Sequence, residues 1–288
     1  MFILTLLIGF AGYLTFLYAD NKSTSVPAQI IIVENEKSNY QIVIPAQPIP
    51  AEEYAANELQ HFISEITGVK LPIVSETQIN PAKPAFYLGR CQKTKPITGL
   101  RLAELHSDGV IIKTAGRDIF LTGQNPRGIL YSVYVLLEQF WGLQFLAFDK
   151  TIIPPNKVLT LPQMDYSYSP PFMYRETLYW DSFPKEIAAR QRLNGPYTKC
   201  DLTTGGKIEF YPYVHSFAAL VPPDKYFKEH PEYFSLISGQ RTNLTVHGQL
   251  CLSNPEVLKI ATAQVLQWIK DRPEIPIIDV SQNDGAGA

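Results

Sequence analysis

The sequence predicts an α/β fold in two parts: a mixed α/β sandwich over residues 29–163, then the first half of a (β/α)8 TIM-type barrel over residues 164–288. Three observations predict it. Strand-type alternation and helix-type periodicity take turns along 29–163, but a tight hairpin interrupts them, so the sheet is mixed. From about Pro170 the order becomes strand, helix, strand, helix, strand, with long polar loops after the strands. The composition is 45% hydrophobic and 18% charged without a low-complexity run, which is enough apolar material for the cores both parts need.

Residues 1–19, "MFILTLLIGFAGYLTFLYA", carry no charge, and the first cation is Lys22. A run of this length serves as the apolar part of a secretory signal or as a membrane anchor, so residues 1–28 are expected to be leader plus linker. Either reading puts the body outside the cytoplasm: periplasmic, extracellular or held at the membrane through residues 1–19. The odd count of three cysteines, Cys91, Cys200 and Cys251, lacks metal-type spacing and reads as structural thiols. Asn243-Leu244-Thr245 fits a glycosylation sequon.

Two β-rich runs, "QIIIVEN" and "YQIVIP", open the first part. The next stretch is helical. Pro50 starts it, acids fill its first turn, Ala55, Leu59, Phe62, Ile63 and Ile66 share one face, and Gly68 stops it; His61 falls on the polar side. "KLPIVSE" and "AFYLGR" are strands, and "DGVIIKTAGRDIFLTGQ" is a hairpin turning at Ala115–Asp118. "GQNPRG" lacks the Lys-Ser/Thr ending of a phosphate loop and instead marks a helix entry, with Asn125 as cap and Pro126 in the first position; Gly142 closes that helix. "LQFLAF" and "KVLTLP" complete the first part.

In the second part "PFMYRETLYW" reads as a strand, "SFPKEIAARQRLNG" as a helix, and "PEYFSLISGQR" as half of a hairpin. "GQLCLSN" is a further short strand, "NPEVLKIATAQVLQWIKDRP" a helix capped by Asn254, and "PIIDVSQND" a final buried strand. Only half a barrel is present, so the chain is expected to stop part-way round the ring.

In such barrels the strand tips point into the site. That rule selects Arg175, Glu176 and Asp181, then Asn194, His215, Asn283 and Asp284. Each has a plainer reading: a surface ion pair for Arg175 with Glu176, a helix ending for Asn194 before Gly195, a structural histidine for His215. His230 and His247 read as surface residues, while Tyr179 and Trp180 are either core or a platform for a sugar ring. A carboxylate at the tip of the apolar run "PIIDV" makes Asn283 and Asp284 the leading candidates.

A net charge of −2 without a basic stripe gives no hold on nucleic acid. No serine-triad order, zinc spacing or dinucleotide fingerprint occurs, so no metal or cofactor is expected. Glycoside hydrolysis needs only carboxyl groups, hydrogen-bond donors and aromatic walls, all of which are present. Enzymes acting on 2-acetamido sugars use the substrate's own acetamide as nucleophile and need an Asp or Asn to orient it.

The first part resembles the N-terminal α/β domain of α-glucuronidases and bacterial β-hexosaminidases, on "AANELQHFISEITGVKLPIV", "FYLGR", "DGVIIKTAGRDIFLTG" and "RGILYSVYVLLEQFWG". The second resembles the barrel of a family that includes endo-β-N-acetylglucosaminidases, on "PPFMYRE", "RQRLNG", "HSFAALVPPDKYFKEHPEYFSLISGQR", "QLCLSNPEV" and "VSQND". The resemblance implies an exported glycosidase acting on N-acetylglucosamine-containing oligosaccharides or polysaccharides by acetamide-assisted, retaining hydrolysis. It implies that Arg175 binds sugar hydroxyls, that Asn194 ends the helix before the second strand, and that Asn283 and Asp284 stand at the acidic pair. Gly285 follows where the pattern has Glu, so the acid is Asp284 or a Glu beyond residue 288. An α-glucuronidase-like enzyme on xylan and a non-catalytic carbohydrate-binding protein are the competing readings.

Overall fold

The structure, a computed structural model, describes residues 29–243 and 248–284. The expected leader (1–28), the sequon's Leu244 and Thr245, His247 and Gly285 lie outside the described residues. In chain order the first part runs β1 (Gln29–Val33), β2 (Gln41–Ile44), α1 (Pro50–Thr67), β3 (Ile73–Ser75), β4 (Ala85–Leu88) and α2 (Lys95–Leu102). It continues with β5 (Val110–Ala115), β6 (Asp118–Gly123), α3 (Pro126–Val135), β7 (Gln144–Ala147), β8 (Lys150–Ile152), β9 (Leu159–Pro162) and β10 (Asp165–Tyr168).

Six of these strands form one sheet in the order β10-β5-β6-β4-β2-β3. The β3, β2, β4 and β6 neighbours are parallel, whereas β5 runs antiparallel to β6 and β10. The sheet is therefore mixed, as the hairpin predicts, and Ala115 pairs with Asp118 across its tight turn. β1 leaves this sheet and pairs antiparallel with β9.

The local chemistry fixes the two main helices. Glu52 accepts a hydrogen bond from Ile49 N at 3.0 Å, covering an amide that the first turn leaves open. Ala55, Leu59, Phe62, Ile63 and Ile66 are all buried, and Gly68, at φ 77°, closes α1 by donating to Ser64 O at 2.7 Å. Asn125 Oδ1 accepts from Gly128 N at 2.9 Å, with Pro126 in the first turn, as the sequence predicts. Every side chain from Ile129 to Val135 is buried, and the helix then widens into a π-helical stretch at Leu136–Phe140 before Gly142. At Gly123 and Gly128 strand and helix approach so closely that a Cβ on Gly123 would sit inside the Gly128 backbone.

The second part contains α4 (Lys185–Arg190), β11 (Phe210–Tyr211), α5 (Phe217–Leu220), α6 (Pro223–Tyr226), β12 (Leu236–Ile237), β13 (Gln240–Arg241), α7 (Pro255–Asp271) and β14 (Ile277–Ile278). The described residues form no barrel. The expected half ring is represented by one parallel pair, β11 with β14. The reason lies in where the backbone groups go. Residues 172–178 form no ladder: Arg175 N donates to Asn194 Oδ1 and Asn194 N donates to Arg175 O, both at 2.9 Å, so a side chain takes the place of a neighbouring strand. Pro170 and Pro171 offer no amide to extend that pairing. Helix α7 buries Val257 and Trp268, while Leu258, Leu266 and Ile269 are exposed. Ile187 and Ala189 of α4 join the core of the first part, so one apolar cluster spans the expected boundary at residue 163.

Buried charges also cross that boundary. Asp108 is fully buried just before β5. Its Oδ1 accepts from Arg127 Nε and Asn125 Nδ2, both at 2.8 Å. Its Oδ2 accepts from Arg175 Nη2 at 2.7 Å and from Asn194 Nδ2 at 2.9 Å. A second crossing pairs Glu58 with Arg190 through two hydrogen bonds of 2.9 Å, with Tyr134 OH donating to the same carboxylate at 2.9 Å.

Burial opposes charge on Asp108, but Arg127 and the hydrogen bonds from Arg175 and Asn125 outweigh it and hold the carboxyl below its ordinary range. As pH falls the unfolded chain therefore takes up this proton first. The stabilisation is complete above about pH 4 and drains away as pH drops through the lower folded value. Asp108→Asn would leave Arg127 and Arg175 without their buried counter-charge. It is expected to cost about 3–5 kcal/mol at neutral pH in urea unfolding and to flatten the acid limb of stability against pH. Equal unfolding midpoints for the two proteins would contradict this account of the junction.

Candidate functional site

The clasp on Arg175 sets up the site beside it. In an extended chain, successive side chains point to opposite sides. Arg175 is turned toward Asp108, and its flanking residues Tyr174 and Glu176 line a groove of about 380 Å³. The other walls are Tyr197 from the loop after Asn194-Gly195, Phe210 of β11, and Tyr213 with His215 from the loop that follows β11. The rings are packed on one another. Tyr174 meets Phe210 at 4.8 Å between centroids, Phe210 meets Tyr213 at 6.1 Å, and Tyr213 stands edge-on to Tyr197 at 5.4 Å.

Glu176 is the carboxylate of this groove. It accepts a short hydrogen bond from Tyr174 OH and a 2.6 Å bond from Tyr197 N. Burial, and then the bond to Glu176, push the Tyr174 phenol above its ordinary value. Burial and a hydrogen bond with Tyr197 do the same for Tyr213. Both phenols therefore keep their protons at neutral pH, and that of Tyr174 is given to Glu176. Gly195 lies against Glu176 so tightly that any Cβ there would overlap the carboxylate.

His215 stands at the rim. It and Val214 have φ of 55° and 35°, a left-handed conformation that a β-branched residue such as Val214 rarely adopts. The conformation is held from the segment that follows β14: His215 N donates to Ser281 Oγ at 2.8 Å, and Nδ1 lies 3.1 Å from Gln282 O. A carbonyl only accepts, so Nδ1 carries the proton and Nε2 is the atom left for a ligand.

Of the residues selected from the sequence, the fold brings Glu176 and His215 into one groove. Arg175 and Asn194 lie at the junction instead. Arg175 also donates to Arg192 O and Phe172 O at 2.7 Å each, and Asn194 is fully buried. The surface ion pair of Arg175 with Glu176 is not formed, because each has other partners. Asn283 is tied down beyond the groove. Its backbone exchanges hydrogen bonds with the Gln249 side chain at 2.8 and 3.0 Å, and its Nδ2 donates to Gly248 O at 3.0 Å. Asp284 is exposed next to it, and neither residue is part of the groove lining. Trp180 and Asp181 are exposed, which removes the core reading of that indole.

Sequence reasoning missed Tyr174, Tyr197, Phe210 and Tyr213. The spacings Tyr174-x-Glu176 and Tyr213-x-His215 were available as alternation signals, whereas the three-residue step from Phe210 to Tyr213 was not. Nothing in the sequence marks Asp108. Among the described residues, no group of three or more His, Cys, Asp or Glu side chains is arranged to hold a metal ion. Cys91 is buried, and burial pushes its thiol up to about 12.

Comparison with known proteins gives two family matches along the chain. Residues 26–136 match the family described as "Glycosyl hydrolase family 67 N-terminus", and residues 145–287 match a "Domain of unknown function (DUF4838)". Alpha-glucuronidase A of Emericella nidulans is 33% identical over 87 residues, covering 30% of this chain and 10% of that protein. The chain thus matches about a tenth of the length of this relative. A GH20 β-N-acetylhexosaminidase from Streptomyces coelicolor A3(2) overlaps 52% of this chain and 25% of its own at 12% identity and a TM-score of 0.35. CpGH84D overlaps 38% of this chain and 19% of its own at 20% identity and a TM-score of 0.28. These last two overlaps are too loose to define the fold. The matches at sequence level relate the chain to glycoside hydrolases, and that relation rests on its first part.

Gly195→Ala tests the groove directly. The new methyl must displace Glu176 from Tyr174 and Tyr197, and the protein is expected to lose about 1.5–3 kcal/mol of stability, the scale of a hydrogen bond to a charged group. Urea unfolding of a variant with an unchanged circular dichroism spectrum measures it. Undiminished stability would mean that Glu176 is not positioned by this contact.

Proposed function

We propose that this chain binds and processes N-acetylglucosamine-containing glycans as a glycoside hydrolase, with the groove receiving the sugar. One observation carries the choice of sugar. The groove is walled by four aromatic rings with one carboxylate, and its lining includes no Lys or Arg among the described residues. A uronate calls for a facing cation, whereas a neutral 2-acetamido sugar calls for aromatic walls and hydrogen-bond partners. Glu176 and His215 Nε2 supply acceptors for hydroxyl and amide protons, and the Tyr213 phenol supplies a donor.

The reaction is retaining and uses the acetamide of the substrate. The acetamide oxygen attacks the anomeric carbon while an acid protonates the leaving oxygen. Water, giving a proton back to that carboxylate, then attacks the same carbon and opens the cyclic intermediate, so two inversions leave the configuration retained. Asp284 is the proton donor in this reading and Asn283 orients the acetamide; both stand beyond the groove lining, so the reacting sugar reaches from the groove past its rim toward residues 283 and 284. Their link to the groove runs through Gln282 O and His215 Nδ1. Residues 1–19 take the chain out of the cytoplasm, where such glycans are met; none of the helices among the described residues is long and apolar enough to cross a membrane.

The α-glucuronidase reading has its own support in the 87-residue likeness to Alpha-glucuronidase A and in the family match over residues 26–136, a stretch that contributes no residue to the groove lining. Aryl N-acetyl-β-glucosaminide and aryl glucuronide assays separate the two. Turnover of the first is expected, with Asp284→Ala lowering kcat by about 100- to 10,000-fold and leaving KM nearly unchanged. Glu176→Ala is expected to raise KM by about 10- to 100-fold, as for loss of a charged hydrogen-bond partner. Turnover of the glucuronide alone would transfer the assignment to the second reading. Binding of N-acetylglucosamine without turnover would leave a non-catalytic carbohydrate-binding protein.

A further inference from the structure

Three consecutive apolar side chains lie open to water beside the groove: Leu178 at 71% exposure, Tyr179 at 69% and Trp180 at 82%. A large ring left in solvent contributes little to folding, and contiguous apolar surface of this kind marks a place where something docks. Trp180 is also connected to the groove through other rings. Its indole meets Phe183 at 5.4 Å, and Phe183 stacks on Tyr197 at 5.6 Å with 10° between the planes. Tyr197 in turn stands against Tyr213 inside the groove, and Leu178 is itself part of the lining. A line of rings therefore runs from the groove floor to an exposed indole.

We propose that Trp180 is an outer subsite that stacks a further residue of a neutral oligosaccharide whose first residue sits in the groove. The site accordingly takes a saccharide chain rather than a single sugar. This inference rests on the reading of the groove as a saccharide site. The chemistry selects the occupant. A pyranose ring offers an apolar C–H face bordered by hydroxyls, which suits an aromatic face whose own edge carries a donor. The run from Thr177 to Trp180 carries no charge, so a polyanion finds no cation there. Tyr179 and Thr177 can meet the hydroxyls along the chain.

The test uses the 288-residue chain with N-acetylglucosamine and its β-1,4-linked dimer through hexamer as probes. Trp141 and Trp268 are buried, so a change in tryptophan emission on adding a long oligomer reports mainly on Trp180. In the wild type, affinity is expected to rise about 10-fold from monomer to tetramer with a blue shift in emission, the scale of one aromatic stacking contact. In Trp180→Ala that ratio should collapse toward one, and Trp180→Phe should restore most of it. A Trp180→Ala protein that keeps the full ratio, or that loses affinity for monomer and tetramer in equal proportion, would overturn the subsite. So would sedimentation showing that Trp180→Ala dissolves a wild-type dimer while saccharide affinity stands. A wild type that binds no member of the series would instead remove the groove reading itself, and the subsite with it.

Discussion

A buried carboxylate surrounded by cationic and amide donors is the constraint on which the rest of this structure depends. Asp108 belongs to the first part by sequence, yet two of its four nearest donors, Arg175 and Asn194, come from the second. A charge this deep is tolerated only when its lone pairs are occupied, so the backbone around Arg175 and Asn194 has little freedom to move independently. Glu58 with Arg190 repeats the arrangement on α1, where the guanidinium also lies 5.0 Å from the Phe62 ring centroid. The two parts are thus joined by polar contacts of defined geometry as well as by a shared apolar core.

That junction reaches the groove through single residues. Arg175 is held on one side of an extended segment, so Tyr174 and Glu176 are presented on the other. Asn194 is held at its side chain and backbone, so Gly195 follows in the place where Glu176 needs an unsubstituted neighbour. The glycoside-hydrolase likeness of the first part acquires a physical meaning here. A region that contributes no residue to the groove lining nonetheless orders two of the segments that do.

The local features of the fold were legible in the sequence to different degrees. Helix α1, the β5–β6 hairpin and the Asn125-Pro126 entry into α3 were readable because caps, turn residues and periodicity act over a few residues. The partners of the strands were less so. β1 and β2 follow one another but lie in different sheets, and β10 completes the main sheet from about 50 residues downstream of its neighbour β5, as the pairing of Asp165 with Lys113 shows. The second part reads as strand, helix, strand, but "PFMYRETLYW" is held at Arg175 by the side chain and backbone of the single residue Asn194 rather than by a ladder. Among the site residues, Glu176 and His215, selected as neighbours of strand-like runs, line one groove. Arg175 was selected by the same rule, and alternation sends it to the opposite side.

By itself the sequence determined the composition of this site: an uncharged aromatic run, a carboxylate two positions after a tyrosine, and a histidine among rings. Those are properties of residue type and short-range order. Only the tertiary structure decided which of them meet. Tyr174 and Tyr213 are neighbours in the groove although 39 positions separate them in the chain. Asp108 meets Asn194 across 86 positions. Such encounters depend on where a buried charge finds its donors and where packed rings find each other, and no periodicity along the chain encodes that distance.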